Sequence, residues 1–199
     1  AFKGPLPQGR GPFSASSAAA NFFHRRLTAA CPPILPLEKF KGAVKHTMQY
    51  RFKGFSRQGA KMLNQALIIA GEMGQTQAGT GHILLAILRG EATPAARFLQ
   101  SRQIAETQVM QRVAALGGMN ESRRLSPRDF QPEACKALDF AVLGAHAARM
   151  KEAQPEHVLC AILEDPNCTA SRWLTEWGVE LSEAARECRQ LSGQLVLPL

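Results

Sequence analysis

Two stretches of sequence decide the fold: Gly79-Thr80-Gly81-His82-Ile83-Leu84-Leu85-Ala86-Ile87-Leu88 and Gln154-Pro155-Glu156-His157-Val158-Leu159-Cys160-Ala161-Ile162-Leu163. Each is apolar on nearly every side of a helix, which predicts a helix buried at the centre of a helical unit. The two stretches carry His, Leu, Ala, Ile and Leu at matching positions, 75 residues apart. The chain therefore contains two related buried helices.

The similarity extends far beyond these helices. With Phe55 placed over Phe130, an ungapped match runs to Val113 over Cys188 and contains fourteen identical pairs, most of them apolar. Self-similarity at a fixed offset indicates duplication of one structural unit. We therefore predict an all-α fold, built as a tandem pseudo-two-fold repeat of two four-helix units with about eight helices.

Apolar spacing and end signals place these helices. In the first repeat, Gly71 and Gly74 are predicted to stop the first helix, Thr80 to cap the second, and Thr93 to cap a third that opens with Pro94. In the second repeat, Ser182 is predicted to cap the last helix. The predicted organisation is a leader, a first repeat, a polar linker, a second repeat and a tail: residues 1–54, 55–118, 119–129, 130–193 and 194–199.

The leader carries most of the positive charge. The chain has a net charge of +8, and residues 1–47 hold seven of the basic residues against Glu38 alone. Rich in Pro, Ser and Ala, the leader fits a disordered tail, translated sequence upstream of a true start at Met48, or an organelle transit peptide. Its basic patch is also the basis for an alternative function, a helical regulator that binds nucleic acid.

Several classes of site find no support in the sequence. The cysteines are odd in number and contain no C-x-x-C pair (Cys31, Cys135, Cys160, Cys168 and Cys188), which argues against a disulfide scaffold or zinc site and favours a cytoplasmic location. No apolar run approaches a membrane span. A P-loop requires a Gly-Lys pair, and the chain has none. His82 and His157 lack a partner acid at ligand spacing, so we expect them to be structural. No metal, cofactor or catalytic residue is predicted.

The order of these signals resembles the Clp N-terminal repeat domain of ClpA- and ClpC-type ATPases. That family opens each repeat with F-T-x-x-A-x-x-x-L, and here the segments 55–63 and 130–138 begin Phe55-Ser56 and Phe130-Gln131. Its second-helix signature, G-T-E-H-L-L-L-x-L, matches the two stretches quoted first. Its small-residue helix, G-V-A-A-x-x-L, matches the segment Thr93-Pro94-Ala95-Ala96-Arg97-Phe98-Leu99. The resemblance covers about residues 52–192.

The resemblance implies a non-catalytic module that recruits substrates or adaptor proteins to a Clp-type ATPase for unfolding and proteolysis. Some members bind phosphorylated arginine through a hydroxyl at the repeat start and the Glu of G-T-E-H. Carried over, these positions are Ser56 with Gly81 and Gln131 with Glu156. Each pair lacks one group, and without a carboxylate at Gly81 the first cannot hold a guanidinium strongly.

The residues predicted to contact a protein or peptide are Ser56, Gln131, Glu156 and Trp177. Trp173 and Trp177 lie four residues apart on one helix. Trp173 is predicted to belong to the core, while Trp177 fits either the core or an exposed anchor for a partner.

Overall fold

The computed structural model describes residues 50–90, 93–117 and 121–193. These ranges contain eight α-helices and, before the fifth, a turn of 3-10 helix at Pro127–Asp129. The helices are α1 Arg57–Glu72, α2 Thr80–Arg89, α3 Pro94–Ser101, α4 Glu106–Ala115, α5 Pro132–Ala147, α6 Pro155–Glu164, α7 Thr169–Glu176 and α8 Leu181–Leu191. The predicted all-α fold of two four-helix units is confirmed for this part of the chain. Most of the predicted leader (1–49) and the whole predicted tail (194–199) lie outside the described residues.

The two quoted stretches form the centre of the core. Every residue of α2 from Thr80 to Leu88 is buried, and so is every residue of α6 from Pro155 to Leu163. Fully burying one Leu or Ile side chain contributes about 1.5–3 kcal/mol, so these two helices supply much of the driving force for folding. The other helices pack an apolar face around them and turn their polar face to solvent.

The repeats are joined by reciprocal backbone contacts. Phe55 forms a parallel bridge with Ala153, and Phe130 forms the equivalent bridge with Ala78. The amide of Ser56 donates to the Ala153 carbonyl at 3.0 Å, and its counterpart from Gln131 to Ala78 is 2.9 Å. The start of each repeat therefore lies beside the segment that leads into the central helix of the other repeat.

One predicted cap is confirmed at the start of α3. The Thr93 hydroxyl accepts a hydrogen bond from the Ala96 amide at 3.1 Å, and Pro94 occupies the first helical position. Proline fits there because its missing N–H would have had no partner within the helix.

Two other predicted caps are wrong. Thr80 is the first residue of α2 and Gly79 is its cap; the Thr80 hydroxyl instead accepts the Ala170 amide of the second repeat, at 3.1 Å. Ser182 lies inside α8, whose cap is Glu180; the Glu180 carboxylate accepts from the Ser182 hydroxyl at 3.0 Å. At Thr80, a hydrogen bond to the other repeat therefore replaces the capping role that the residue type favours.

Left-handed residues end equivalent helices in both repeats. After α1 and α5 they are Gly74 (φ 71°) and Arg149 (φ 59°), and after α3 and α7 they are Gln103 (φ 61°) and Gly178 (φ 84°). The next residue in each case donates its amide back to the helix, as in the bond from Ile104 to Leu99 at 3.1 Å. These hydrogen bonds satisfy carbonyl groups of the last helical turn that would otherwise lack a partner.

Gly71 does not stop α1 as predicted, because the helix continues to Glu72. Its role is a close approach: a β-carbon at Gly71 would collide with the carbonyl oxygen of Arg123. The Arg123 amide in turn donates to the Gly71 carbonyl at 3.1 Å, and the nearby Leu125 is buried. The linker therefore packs closely against the end of α1 and is hydrogen-bonded to it.

The last residues assigned to the leader belong to the folded unit. Tyr50 exchanges hydrogen bonds with the Asn64 amide group, through its backbone N–H at 2.8 Å and its carbonyl at 2.9 Å. The Phe52 ring packs edge-on against both Phe55 and Phe130. Among the described residues, no helix combines the length and apolarity that crossing a membrane requires.

Candidate functional site

The reciprocal contacts create two equivalent clefts, one at the start of each central helix. The α6 cleft lies where Ser56 meets Gln154, Pro155 and Glu156. The α2 cleft lies where Gln131 meets Gly79, Thr80 and Gly81. Each cleft combines residues of both repeats, whereas the resemblance had paired Ser56 with Gly81 and Gln131 with Glu156 inside one repeat. The contacts in the structure run between the repeats.

In the α6 cleft, polar groups are held in place. The Ser56 hydroxyl caps α1 by accepting the Gly59 amide at 3.1 Å, and donates to Oε1 of Gln154 at 2.8 Å. Glu156 is 6% exposed and lies in the first turn of α6. In the described part of the chain, no hydrogen bond or ion pair to its carboxylate is found. The positive end of the helix dipole stabilises a carboxylate at this position.

Glu156 also takes part in a contact between α6 and α8. Cys188 donates its thiol to the Glu156 carbonyl at 3.5 Å. A hydrogen bond with Cys160, burial and the nearby Glu156 carboxylate together raise the pKa of the Cys188 thiol. The Cys188 thiol therefore stays protonated.

The α2 cleft is filled. A β-carbon on Gly81 would lie 2.5 Å from the six-membered ring of Trp173, so the indole occupies the space of a side chain at this position. The Gln131 side chain packs in the same manner over Gly79. The Thr80 hydroxyl, which also lies here, accepts the Ala170 amide of the other repeat.

Beside the α6 cleft runs an open groove of about 440 Å³. We call it the α1 groove. One wall is the face of α1 that carries Gln58, Lys61, Met62 and Gln65, and the other walls are the last turn of α2, Thr93 and Pro155. Its volume lies within the range of small-ligand and peptide-side-chain sites.

The two equivalent histidines are structural, as expected. Nδ1 of His82 accepts the Gly79 amide at 3.0 Å, and Nδ1 of His157 accepts the Gln154 amide at 3.2 Å. Each imidazole thus takes the role of Glu or Gln in a capping box. Their Nε2 atoms are buried without a hydrogen-bond partner among the described residues. Burial lowers the pKa of His82 to about 4, opposed by its bond to Gly79.

Trp177 is half-buried and packs against the core, 6.5 Å from Trp173 between ring centres. Within the described ranges, no group of three His, Cys, Asp or Glu side chains is arranged to hold a metal ion. Sequence reasoning did not find Gln154, the α1 groove or the filling of the α2 cleft. Only the filling of the α2 cleft left a signal in the sequence. The first repeat has the small Gly81 where the second has Glu156, and the second repeat has the large Trp173 where the first has Phe98.

Comparison with protein families gives one assignment. The model of the Clp repeat (R) N-terminal domain matches residues 54–176. Two curated relatives are the negative regulator of genetic competence ClpC/MecB of Bacillus subtilis, 27% identical over 142 residues, and the chaperone protein ClpB of Oceanobacillus iheyensis, 28% identical over 142 residues. Each match covers 71% of this chain and 17% of the relative, so the chain corresponds to a small part of either protein.

Solved structures share the fold. The N-terminal domain of ClpD from Arabidopsis thaliana aligns with a TM-score of 0.57 and 15% identity, over 72% of this chain and 97% of that domain. The N-domain of ClpV from Vibrio cholerae aligns with a TM-score of 0.55 and 17% identity, over 76% and 96%. A complex of the ClpV N-domain with a VipB peptide aligns with a TM-score of 0.54 and 16% identity, over 74% and 96%.

Proposed function

Because the chain belongs to the Clp repeat (R) N-terminal domain family, we propose that it is a non-catalytic protein-binding module that brings substrates or adaptor proteins to a Clp-type ATPase. Unfolding and proteolysis would then be carried out by the ATPase and its protease, not by this chain. The sequence contains no Gly-Lys pair of the kind a P-loop needs.

The observation that carries this proposal is the open α1 groove at the junction of the repeats. Of the two equivalent clefts, the one beside this groove contains a buried carboxylate, Glu156, which has no hydrogen bond or ion pair with the described residues, and the Ser56 hydroxyl, which Gln154 holds in place. A concave site with an apolar floor and a few fixed polar groups suits a peptide ligand. The ClpV N-domain, which has the same fold, forms a complex with a VipB peptide.

The four residues predicted for partner binding take different places in this proposal. Ser56 and Glu156 would lie next to the site rather than in it, since the groove residue Pro155 is flanked by Glu156 and by Gln154, the partner of Ser56. Gln131 packs into the filled cleft, which leaves it a positioning role. Trp177 directly follows α7 and is half-buried, so only part of its side chain would be available to a partner.

Binding to a Clp ATPase tests the proposal directly. The tagged full chain is mixed with the purified Clp ATPase and protease of its source organism, and complex formation and degradation of an unfolded reporter are measured. We expect a stoichiometric complex and a changed degradation rate. Glu156→Gln, which keeps the size of the side chain, separates loss of binding from loss of folding. Absence of a complex with every Clp ATPase of the organism contradicts the proposal.

The same proposal places the protein in a reducing compartment such as the cytoplasm. Cys135, Cys160, Cys168 and Cys188 are free thiols. Three of them are buried and serve as small apolar side chains. Cell fractionation with an antibody against the chain tests this location, and recovery from a secreted fraction contradicts it.

A further inference from the structure

We propose that two copies of this chain associate through α5, with the exposed face of one α5 helix packed antiparallel against the same face of the other. This inference concerns the outer surface of the second repeat and does not rest on the proposed function. It starts from apolar side chains on α5 that are left exposed to solvent.

The exposed face of α5 is apolar. Of the five large apolar side chains that are exposed in the described part of the chain, three lie on α5 or just after it: Phe140 is 50% exposed, Leu143 60% and Met150 36%. The exposed Ala147 lies between the last two. We call these four residues the α5 stripe. An outer helix usually turns a polar face to solvent, and an apolar one is typical of an interaction surface.

The spacing of the α5 stripe indicates the kind of partner. Within the helix, Phe140, Leu143 and Ala147 follow one another at intervals of three and four residues. This is the spacing of a coiled-coil seam, in which each apolar side chain packs against a facing helix. Met150 adds one more apolar side chain from the turn that follows α5. We therefore expect the partner of the stripe to be a helix.

The first repeat shows that the shared fold does not require this stripe. The residues equivalent to the α5 stripe on the first repeat are Gln65, Ile68, Glu72 and Gln75, of which three are polar. A four-helix unit of the same design thus folds with polar side chains at these positions. The apolar residues of the second repeat are therefore explained better by a contact outside the unit than by packing within it.

The α5 stripe is complementary to itself when two copies meet antiparallel. This arrangement sets the large Phe140 of one copy beside the small Ala147 of the other, and it does so twice because the contact is two-fold symmetric. Leu143 then lies near the axis and meets its own counterpart. Large side chains set against small ones let two helices pack closely without a steric conflict.

Charges at the two ends of α5 favour the antiparallel arrangement. Asp139 lies in the first half of the helix and Arg149 follows its last turn; both are exposed, and neither forms an ion pair with another described residue. Antiparallel packing brings the Asp139 end of each helix beside the Arg149 end of the other, whereas parallel packing would set like charges together. Lys136, near the start of α5, is already paired with Asp165 at 2.8 Å.

The size of the contact sets the expected affinity. The helix has 16 residues and is therefore about 24 Å long. One pair of such helices buries less than the roughly 800 Å² per partner of a standard stable interface. We therefore expect a dimer that dissociates on dilution, with a Kd of roughly 10–100 μM.

Sedimentation of the full chain at increasing concentration tests the inference. A reducing agent prevents cross-links through the exposed Cys135. Physiological salt screens the repulsion between two copies that each carry a net charge of +8. We expect the average mass to rise from that of a monomer toward that of a dimer. A chain that stays monomeric at every concentration overturns the inference.

Two matched substitutions locate the contact. Leu143→Asp should weaken dimerisation at least ten-fold, because each dimer would then hold two carboxylates in its apolar seam. Leu191→Asp is the control: Leu191 is 50% exposed but lies at the end of α8, so this change should alter the Kd less than about two-fold. Circular dichroism verifies that both variants stay folded. Equal effects of the two substitutions contradict a contact through α5.

A charge exchange tests the antiparallel direction. Asp139→Arg alone should weaken dimerisation about five-fold, because an arginine then faces Arg149 at both ends of the contact. Adding Arg149→Asp should restore the Kd to within about two-fold, and aspartate is among the residue types that tolerate the left-handed backbone there, φ 59°. A double variant that dimerises no better than Asp139→Arg rules out the antiparallel arrangement.

Discussion

Gly81 of α2 leaves open the space into which Trp173 of α7 places its six-membered ring, with a missing β-carbon only 2.5 Å from the indole. Trp173 is 7% exposed and belongs to the core. The equivalent pair in the other half of the molecule is Glu156 and Phe98, a larger residue on the central helix and a smaller ring. The two halves of this duplicated fold therefore distribute bulk differently between these two positions.

This relationship predicts a measurable coupling between Gly81 and Trp173. Gly81→Ala should lower the free energy of unfolding by about 1–3 kcal/mol, although alanine is ordinarily the better helix residue, because the core is overpacked. Trp173→Phe removes the part of the ring that collides, so the double variant should be more stable than the sum of the single effects allows. Urea unfolding of all three variants measures this. Simple additivity would show that the ring does not occupy the space beside Gly81.

Much of the fold could be predicted because its determinants are local. A helix that is apolar on all sides must lie at the centre of the fold, and α2 and α6 both do. Thr93 followed by Pro94 predicts the start of a helix, and α3 begins there. Thr80 shows where this reasoning ends. Threonine is a common helix cap, but the Thr80 hydroxyl instead accepts a hydrogen bond from the Ala170 amide, 90 residues away along the chain. The helix is capped at Gly79, whose amide donates to the His82 side chain.

The candidate site was less accessible to prediction. The residue types at Ser56 and Glu156 pointed to the right segments, since each sits at the start of a helix. Which segments meet depends on how the repeats cross, and Ser56 bonds to Gln154, 98 positions along the chain. The α1 groove forms only where α1, α2 and Pro155 come together in the tertiary fold. No single sequence pattern predicts how these elements are spaced.

Ser56 should matter for stability where its equivalent does not. Ser56→Ala removes the cap of α1 and the bond to Gln154, and should lower the free energy of unfolding by about 1 kcal/mol. Gln131→Ala is the matched control, because the Gln131 side chain caps nothing at the start of α5. Thermal unfolding of the two variants gives the comparison. A larger loss at Gln131 would show that the filled cleft, not the cap, stabilises the junction.

Substitutions at the left-handed residues that follow α3 and α7 should change the stability of the protein in opposite directions. Gln103→Gly should stabilise the protein by about 0.5 kcal/mol, since relief of left-handed strain exceeds the added entropy of the unfolded chain. Gly178→Ala should destabilise it by about 1 kcal/mol, from backbone strain alone, because a β-carbon there would meet no atom within 4 Å. Chemical denaturation measures both. A destabilising Gln103→Gly would mean that this side chain makes a contact worth more than the strain.

His82 should make the fold sensitive to mild acid. Its folded pKa of about 4 lies below the ordinary 6.5, so the unfolded chain binds the proton more readily, and stability is lost as pH falls from 6.5 toward 4. At pH 5 the loss is about 2 kcal/mol for this group. His82→Gln keeps an acceptor for the Gly79 amide but cannot titrate, which isolates the imidazole from the carboxylates that titrate in the same range. Urea unfolding at pH 7 and pH 5 should therefore show a smaller acid loss in the variant than in the natural chain. An equal loss in both would mean that the imidazole is protonated without opening the core.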